Sequence, residues 1–220
     1  MSASLRAERR SAGDTAKLLD PTAPLWSALS TSTIPLAPAP VALVAAVSPY
    51  VAASTGHGRV PGIELRAVHD GVSLLLRLGW PDTTRDDSIA DLDRFADAAA
   101  VIFPLAPGAD PFHMGSPGKP VNAWLWRADA KAPFDVIAEG YATSQRRPAG
   151  SSGLEARAAH DGRGWSLVFR RPLTAPGVGF ISLAGGASTG IGFAVWDGSA
   201  RDRSAAKAVS AGLRPLVLAG

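Results

Sequence analysis

Met114 is the residue whose type and setting most suggest metal or cofactor chemistry. It is one of two methionines, the other being the initiator, and it lies in a loop, residues 111–120, that prolines and glycines interrupt. A thioether is a soft, neutral metal ligand, so Met114 is a candidate ligand. The structural alternative is that this flexible side chain fills an irregular gap in the packing of the loop.

The absence of cysteine excludes several other kinds of chemistry. The chain cannot form disulfides, hold an iron–sulfur cluster, attach haem through a Cys-x-x-Cys-His motif or use a thiol nucleophile. The four histidines are isolated, which excludes a zinc site, and no Gly-x-Ser-x-Gly elbow occurs. The acids between Asp82 and Asp97 miss the EF-hand spacing, and a polar loop before a helix explains them. The sequence therefore contains no recognisable catalytic constellation.

The charge pattern argues against nucleic acid as a partner. The formal net charge is +3, but the basic residues are scattered as short pairs such as Arg146-Arg147, with acids between them. A phosphate-binding surface would gather these charges on one face. The longest apolar run, residues 34–53, contains four prolines, so it does not predict a membrane span. Residues 1–20 are basic but lack an apolar stretch, so no cleavable export signal is visible.

Two segments with a shared pattern predict β-hairpins. Apolar residues alternate on both sides of Asp70-Gly71 and again around Asp161-Gly162, and Asp-Gly favours a tight hairpin turn. The residues before the two turns also resemble each other, since Glu64–Gly71 is echoed by Glu155–Gly162. Two similar hairpins far apart in the chain suggest two sheets that each contribute one ribbon to a sandwich.

The remaining elements complete a mainly β prediction. We expect a buried strand at residues 41–47 and further strands at 121–126, 134–141 and 192–196, with short helices at 90–100 and 205–211. The 18 prolines and 23 glycines suit many short strands joined by turns. We predict a β-sandwich of antiparallel sheets with a few short helices, as a single domain over residues 21–220. Residues 1–20 are expected to be a mobile or partner-bound arm.

Several stretches, in order over nearly the whole chain, resemble the γ subunits of the ethylbenzene dehydrogenase group. These are haem b subunits of molybdenum enzyme complexes such as dimethylsulfide dehydrogenase and chlorate and selenate reductases. The matching stretches are Asp20-Pro21 with Trp26, residues 66–71, 95–104, Met114-Gly115, residues 121–129, 165–173 and 193–198, and Lys207.

The resemblance implies a noncovalent haem b whose iron is bound by Met114 and Lys207. Lysine must lose its proton to bind iron, which costs roughly 4–5 kcal/mol at pH 7 from a pKa near 10.4. The lysine should therefore lie in a desolvated pocket, and its small, apolar neighbours suit such burial. With both axial positions filled by protein, the domain is expected to carry electrons rather than to bind substrate.

The implied partners are a molybdopterin-containing catalytic α subunit, an iron–sulfur β subunit and an external electron carrier such as a cytochrome or a quinone. The resemblance implies a periplasmic location, and the cytoplasm is the alternative because no export signal is visible.

Two alternative functions remain open at the level of the sequence. The first is a haem-free, carbohydrate- or ligand-binding β-sandwich in which the six tryptophans form a platform that stacks on sugars. The second keeps the haem but pairs Met114 with His69 or His160. His113 is a poor candidate for that pair, because adjacent residues of an extended loop point in opposite directions.

Overall fold

A computed structural model describes residues 4–53, 56–89, 91–183 and 187–220. The strands are β1 Leu5–Arg9, β2 Ser32–Pro38, β3 Gly62–His69, β4 Ser73–Pro81, β5 Ala98–Pro104, β6 Val121–Arg127, β7 Phe134–Ala138, β8 Gln145–Arg146, β9 Glu155–His160, β10 Gly164–Pro172, β11 Ser188–Trp196, β12 Ala208–Ser210 and β13 Arg214–Leu218. The helices are α1 Ala12–Lys17, α2 Val41–Val47 and α3 Pro49–Ala52, with a 3₁₀ turn at Pro24–Ala28. The predicted mainly β class is confirmed.

The strands form two sheets that share β2 and β11. In the first sheet, β9, β10, β4 and β3 are neighbours, and β3 then pairs with both β2 and β1. In the second sheet the order is β8, β7, β6, β5, β11, β12 and β2. The pairs of β1 with β13 and with β3 are parallel, so the predicted antiparallel pairing holds for the rest of the described ladders.

The main core lies between the two sheets. The first sheet contributes alternate residues such as Leu76 and Phe169, which are opposite each other on β4 and β10. The second sheet contributes Val101, Trp124 and Phe193 from β5, β6 and β11. Burial of such side chains typically stabilises a fold by about 1.5–3 kcal/mol each. Alternate residues of the second sheet point away from this core, and the candidate site lies on that outer face.

Both predicted hairpins are present, but their placement differs from the prediction. β3 and β4 form the first and β9 and β10 the second, with the Asp70 and Asp161 carboxylates accepting backbone N–H bonds in the turns. The hairpins lie side by side in one sheet rather than in two, because β4 pairs with β10 over nine residues. Both strands are long and apolar on the inner face, so the paired strands together cover one side of the hydrophobic core.

Three local predictions are wrong. The predicted strand at residues 41–47 is helix α2, since Val44 is buried while Val41 and Val47 are exposed, and an apolar run alone does not distinguish the two structures. In the predicted helix at 90–100, residues 98–100 begin β5, and Ala90 lies outside the described residues. In the predicted helix at 205–211, residues 208–210 form β12. Pairing with neighbouring strands overrides the helix propensity of alanine in both places.

Two further boundaries change. The predicted strand from Phe134 to Tyr141 ends at Ala138. The first residues, expected as a mobile or partner-bound arm, belong to the sheet from Leu5 onward, because β1 lies between β3 and β13. Leu5 and Ala7 are buried in the main core, which accounts for the order of this segment.

The chain after β1 covers the outer face of the first sheet. Leu18 and Trp26 pack there against Val68, Leu75 and Val168. No helix in the described part of the chain has the length and apolar character that a membrane span requires.

Candidate functional site

Met114 lies in the loop between β5 and β6, in a strained backbone conformation. Its φ angle is 58°, which is uncommon for a residue other than glycine, asparagine or aspartate. The Met114 carbonyl accepts a hydrogen bond from the Gly140 N–H at 2.9 Å, and the half-buried side chain packs against the cluster that contains Val121 and Ala138. The next residue, Gly115, has a φ of 84°, and a Cβ there would lie 2.7 Å from the Lys119 carbonyl. The loop is therefore held in one conformation by contacts on both sides of Met114.

Lys207 lies directly before β12 and is half-buried. Its Nζ lies 4.8 Å from the centre of the Trp196 ring and 3.5 Å from the Ser204 carbonyl oxygen. Desolvation lowers the pKa of Lys207 to about 8, and no described acid counteracts this shift. The residue keeps some accessible surface, and its ammonium group lies against the Trp196 ring and beside the Ser204 carbonyl. The neutral amine is therefore more readily available here than on an ordinary surface lysine.

A buried scaffold holds the backbone of Lys207. The Lys207 carbonyl accepts a hydrogen bond from the Ala39 N–H at 2.8 Å. The Gly58 N–H donates to the Asp202 carboxylate at 2.9 Å, and a Cβ on Gly58 would lie 2.6 Å from the Lys207 carbonyl oxygen. These contacts join the loop before Lys207 to the chain on both sides of α2 and α3. Asp202 and Gly58 were not singled out in the sequence, since their partners are distant in the chain.

Met114 and Lys207 lie on the same outer face of the second sheet. Directly opposite residues of an antiparallel pair share a face, and Gly192 pairs with Ile102 while Trp196 pairs with Ala98. Met114 packs beside Ile102 at one end of this face, and Lys207 lies over Trp196 at the other. Ile102 and Ala98, which mark the two ends, are four residues apart along β5, about 13 Å.

The outer face between these two residues consists of small or apolar side chains, and we call it the floor. Its members are Ala98, Ala100, Ile102, Ala123, Leu125, Gly192, Ala194 and Val209, and Arg127 lies at its edge, opposite Ala98. A Cβ on Gly192 would lie 2.9 Å from Cγ2 of Ile102, so this position admits no side chain without a shift. Ile102, Ala194 and Val209 remain partly exposed. An apolar surface that lies between a thioether and a desolvated amine offers the two ligands and the apolar contacts that a haem group needs.

Neither histidine alternative is brought near Met114. His69 and His160 lie on β3 and β9 of the first sheet, whereas Met114 lies on the outer face of the second. The Nε2 of His69 is 2.7 Å from the Ala219 carbonyl oxygen, and that of His160 is 3.0 Å from the Asp82 carbonyl oxygen. Both side chains already have structural hydrogen bonds, and both would have to reach past the core to meet Met114.

The tryptophan platform of the carbohydrate-binding alternative is not formed. Five of the six tryptophans are buried: Trp26, Trp80, Trp124, Trp126 and Trp165. Trp80, Trp126 and Trp165 contact one another inside the sandwich, with ring centres 4.9–6.4 Å apart. Only Trp196 is partly exposed, and its ring lies against Lys207. Those five tryptophans are core residues, and a buried ring cannot stack on a sugar.

Two cavities in the molecule lie away from the floor. One, with a volume of about 270 Å³, lies between residues 130–135 and 147–154, and the other, of about 470 Å³, lies beside Arg6 to Arg10 and the C-terminus. Neither is lined by Met114 or Lys207. We place the candidate site on the floor because Met114 and Lys207 offer possible ligands for a metal or cofactor. The volume of a cavity by itself does not identify what would bind there.

Comparison with solved structures defines the fold class. A family 9 carbohydrate-binding module from Caldicellulosiruptor kristjanssonii, in complex with glucose, is similar over 98% of this chain and 95% of that one, with a TM-score of 0.53. A second structure of such a module from this organism, with cellotriose, covers 98% and 93% with a TM-score of 0.51. Both are 11% identical in sequence, so the likeness shows a shared β-sandwich fold alone.

Sequence comparison establishes the family. The model of the family described as ethylbenzene dehydrogenase matches residues 23–157, more than half of the chain. The chain therefore belongs to the ethylbenzene dehydrogenase family.

Two named relatives are also similar. A candidate heme subunit of a respiratory nitrate reductase, ORF7, from Haloferax mediterranei is 32% identical over 86% of this chain. The chlorate reductase subunit gamma of Ideonella dechloratans is 37% identical over 66% of it. The chain spans 65% and 60% of the lengths of these two relatives.

Proposed function

We propose that this chain is a haem b electron-transfer subunit of a molybdopterin oxidoreductase complex. The observation that carries this proposal is the placement of Met114 and Lys207 at opposite ends of one apolar floor, although 93 residues separate them in the chain (207 minus 114). Haem supplies one-electron iron chemistry when it is bound. The chain would supply the two axial ligands, the apolar surface and the exclusion of water.

Each of the two residues has a distinct task in this proposal. The Met114 thioether is a soft, neutral ligand that favours reduced iron and raises the potential. Lys207 must be neutral to bind, and the desolvation that lowers its pKa to about 8 reduces the free energy needed to remove its proton at pH 7. The strained loop at Met114 and the scaffold behind Lys207 would hold both ligands in place before haem binds.

The names of the relatives support the assignment to a redox complex. One is named as a heme subunit of a nitrate reductase and the other as the gamma subunit of a chlorate reductase. By analogy, the partners would be a molybdopterin catalytic subunit and an iron–sulfur subunit, and a cytochrome or quinone would exchange electrons with the haem. A periplasmic location remains a prediction from the family resemblance.

Expression with haem supply, followed by a visible spectrum, tests the proposal. We expect one low-spin, six-coordinate haem per chain, and acid acetone should extract the pigment because the chain has no cysteine to bind it covalently. A colourless protein from haem-supplied cells would contradict haem binding. Pigment that stays with the protein in acid acetone would contradict a noncovalent haem b.

A further inference from the structure

A group of three carboxylates lies at one end of the sandwich, away from Met114. Asp82 follows β4, Asp97 precedes β5 and Asp197 follows β11. Each offers one oxygen atom, and these three oxygens lie within 4.8 Å of one another. Asp82 and Asp97 are buried, and Asp197 is half-buried. Three carboxylates so close together repel one another unless a cation or protons neutralise them.

The hydrogen bonds of Asp82 leave one buried oxygen without a partner. Its Oδ1 accepts bonds from the N–H and the hydroxyl of Thr84, at 3.0 and 2.9 Å. Its Oδ2 has no hydrogen-bond partner, although Asp82 is only 8% exposed. A buried charged oxygen without a partner is costly and requires an explanation, such as an ion. Asp82, one of the three clustered carboxylates, therefore carries a buried oxygen whose partner is missing among the described residues.

In the described part of the chain, no lysine or arginine forms an ion pair with any of the three carboxylates. Within the described ranges, the ion pairs of the nearby Arg85 and Arg201 go to Asp87 and Asp93. The ring nitrogens of His160 are also occupied, since one bonds the Asp82 carbonyl oxygen and the other accepts from the Gly162 N–H. Burial raises the pKa of Asp82, and it raises that of Asp97 to about 6, which is the cost of removing these charges from water.

We propose that Asp82, Asp97 and Asp197 form a calcium site. Ca²⁺ binds six to eight oxygens at 2.3–2.6 Å, so oxygens on opposite sides of one ion stand about 4.6–5.2 Å apart. Oxygens within 4.8 Å of one another can therefore share a single ion with little movement of the backbone. Mg²⁺ requires shorter, near-octahedral contacts and retains its waters, which suits a largely buried group less well.

The hydrogen bonds of Asp97 show how the site is built. Its carboxylate accepts from the Gly198 N–H at 2.8 Å, from the Asp86 N–H at 2.8 Å and from the Trp165 indole N–H at 3.0 Å. These donors orient Asp97. Oδ2 accepts two of the bonds and Oδ1 accepts one, so Oδ1 keeps a lone pair for an ion. The site joins three distant parts of the chain, and its occupation should stabilise the fold.

Calcium titration of the chain as purified, after removal of metals with a chelator, tests the site. We expect calorimetry at pH 7.5 to show one binding event per chain. The melting temperature should rise by about 5–10 °C when Ca²⁺ is 100 times its Kd. No binding and no change in melting temperature would overturn the proposal, and an equal response to Mg²⁺ would overturn the assignment to calcium.

Three variants locate the site. Asp82→Asn and Asp197→Asn remove one charge each and keep an amide oxygen, and each should weaken Ca²⁺ binding at least tenfold. Without metal, the melting temperature of both variants should equal or exceed that of the metal-free parent, because the repulsion among the three carboxylates is reduced. Asp91→Asn removes an exposed acid of the same segment and should bind Ca²⁺ within twofold of the parent. Unchanged binding in both of the first two variants would place any calcium elsewhere and overturn the assignment.

Discussion

The Lys207 ammonium lies 4.8 Å from the centre of the Trp196 ring, with the Lys207 side chain folded over the end of β11. The Trp196 indole N–H donates to the Ser204 carbonyl at 2.9 Å, which closes the loop from Asp197 to Lys207 on itself. The contact between Lys207 and the Trp196 ring stabilises the ammonium form without a carboxylate partner, so iron binding must displace the contact as well as the proton. The contact keeps this lysine on the outer face, beside the floor, where we propose that it binds haem iron.

Lys207→Ala should remove one axial ligand. We expect the low-spin spectrum of the haem-loaded protein to change to one with a water or an open position at the iron, while Met114 remains bound. In the parent protein, acid should detach the lysine reversibly, because only the neutral amine binds and protons compete with iron for it. A spectrophotometric pH titration of the parent and the variant measures both effects.

Lys119→Ala is the matched control for this prediction, since Lys119 is an exposed lysine of the loop that carries Met114. It should leave the spectrum and its acid transition unchanged. The lysine assignment fails if Lys207→Ala also leaves both unchanged while His69→Ala or His160→Ala abolishes the low-spin spectrum.

The substitution Met114→Leu distinguishes a role of Met114 as an iron ligand from a role in packing alone. Leucine keeps most of the apolar volume but has no sulfur, so we expect the fold to persist while the haem potential falls, on the order of 100 mV. A redox titration followed by visible absorbance measures the shift. An unchanged potential in Met114→Leu, together with an unchanged spectrum, would assign Met114 a packing role only.

Asp70 should contribute stability that depends on pH. Although burial opposes it, hydrogen bonds from the Ser73 N–H, the Thr15 hydroxyl and the Val72 N–H lower its pKa below 3.8. The unfolded chain therefore binds more protons than the folded chain as pH falls below the ordinary pKa, so this stability is present above pH 4 and is lost in acid. Asp70→Asn should lower the free energy of unfolding by about 1–2 kcal/mol at pH 7.

Asp161→Asn is the control for Asp70→Asn, because Asp161 occupies the same place in the second hairpin but is exposed. Among the described residues, no hydroxyl from a distant segment donates to it. Chemical denaturation of both variants at pH 7 and pH 3 measures the difference. Equal losses in the two variants, or a loss from Asp70→Asn that does not shrink in acid, would show that the Thr15 contact does not stabilise the fold.

Local patterns in the sequence determine much of this protein. Alternating apolar residues on both sides of Asp70-Gly71 and Asp161-Gly162 predict the two hairpins correctly, because turn geometry and side-chain alternation are set by neighbouring residues. The order of short motifs along the chain indicates the family, and the family model confirms it over residues 23–157. The composition likewise predicts the mainly β class.

Tertiary structure decides the remaining features, because they depend on which distant segments become neighbours. Residues 98–100 are an alanine run with helix propensity, yet they form part of β5 because β6 and β11 supply hydrogen-bond partners on both sides. The floor between Met114 and Lys207 exists only through the register of four strands. The three carboxylates of the calcium proposal are distant in sequence, and only the sandwich brings Asp82 and Asp97 to the end of β11. A contact between distant residues leaves no pattern among neighbouring residues of a single sequence. Such contacts are therefore seen only in the folded structure.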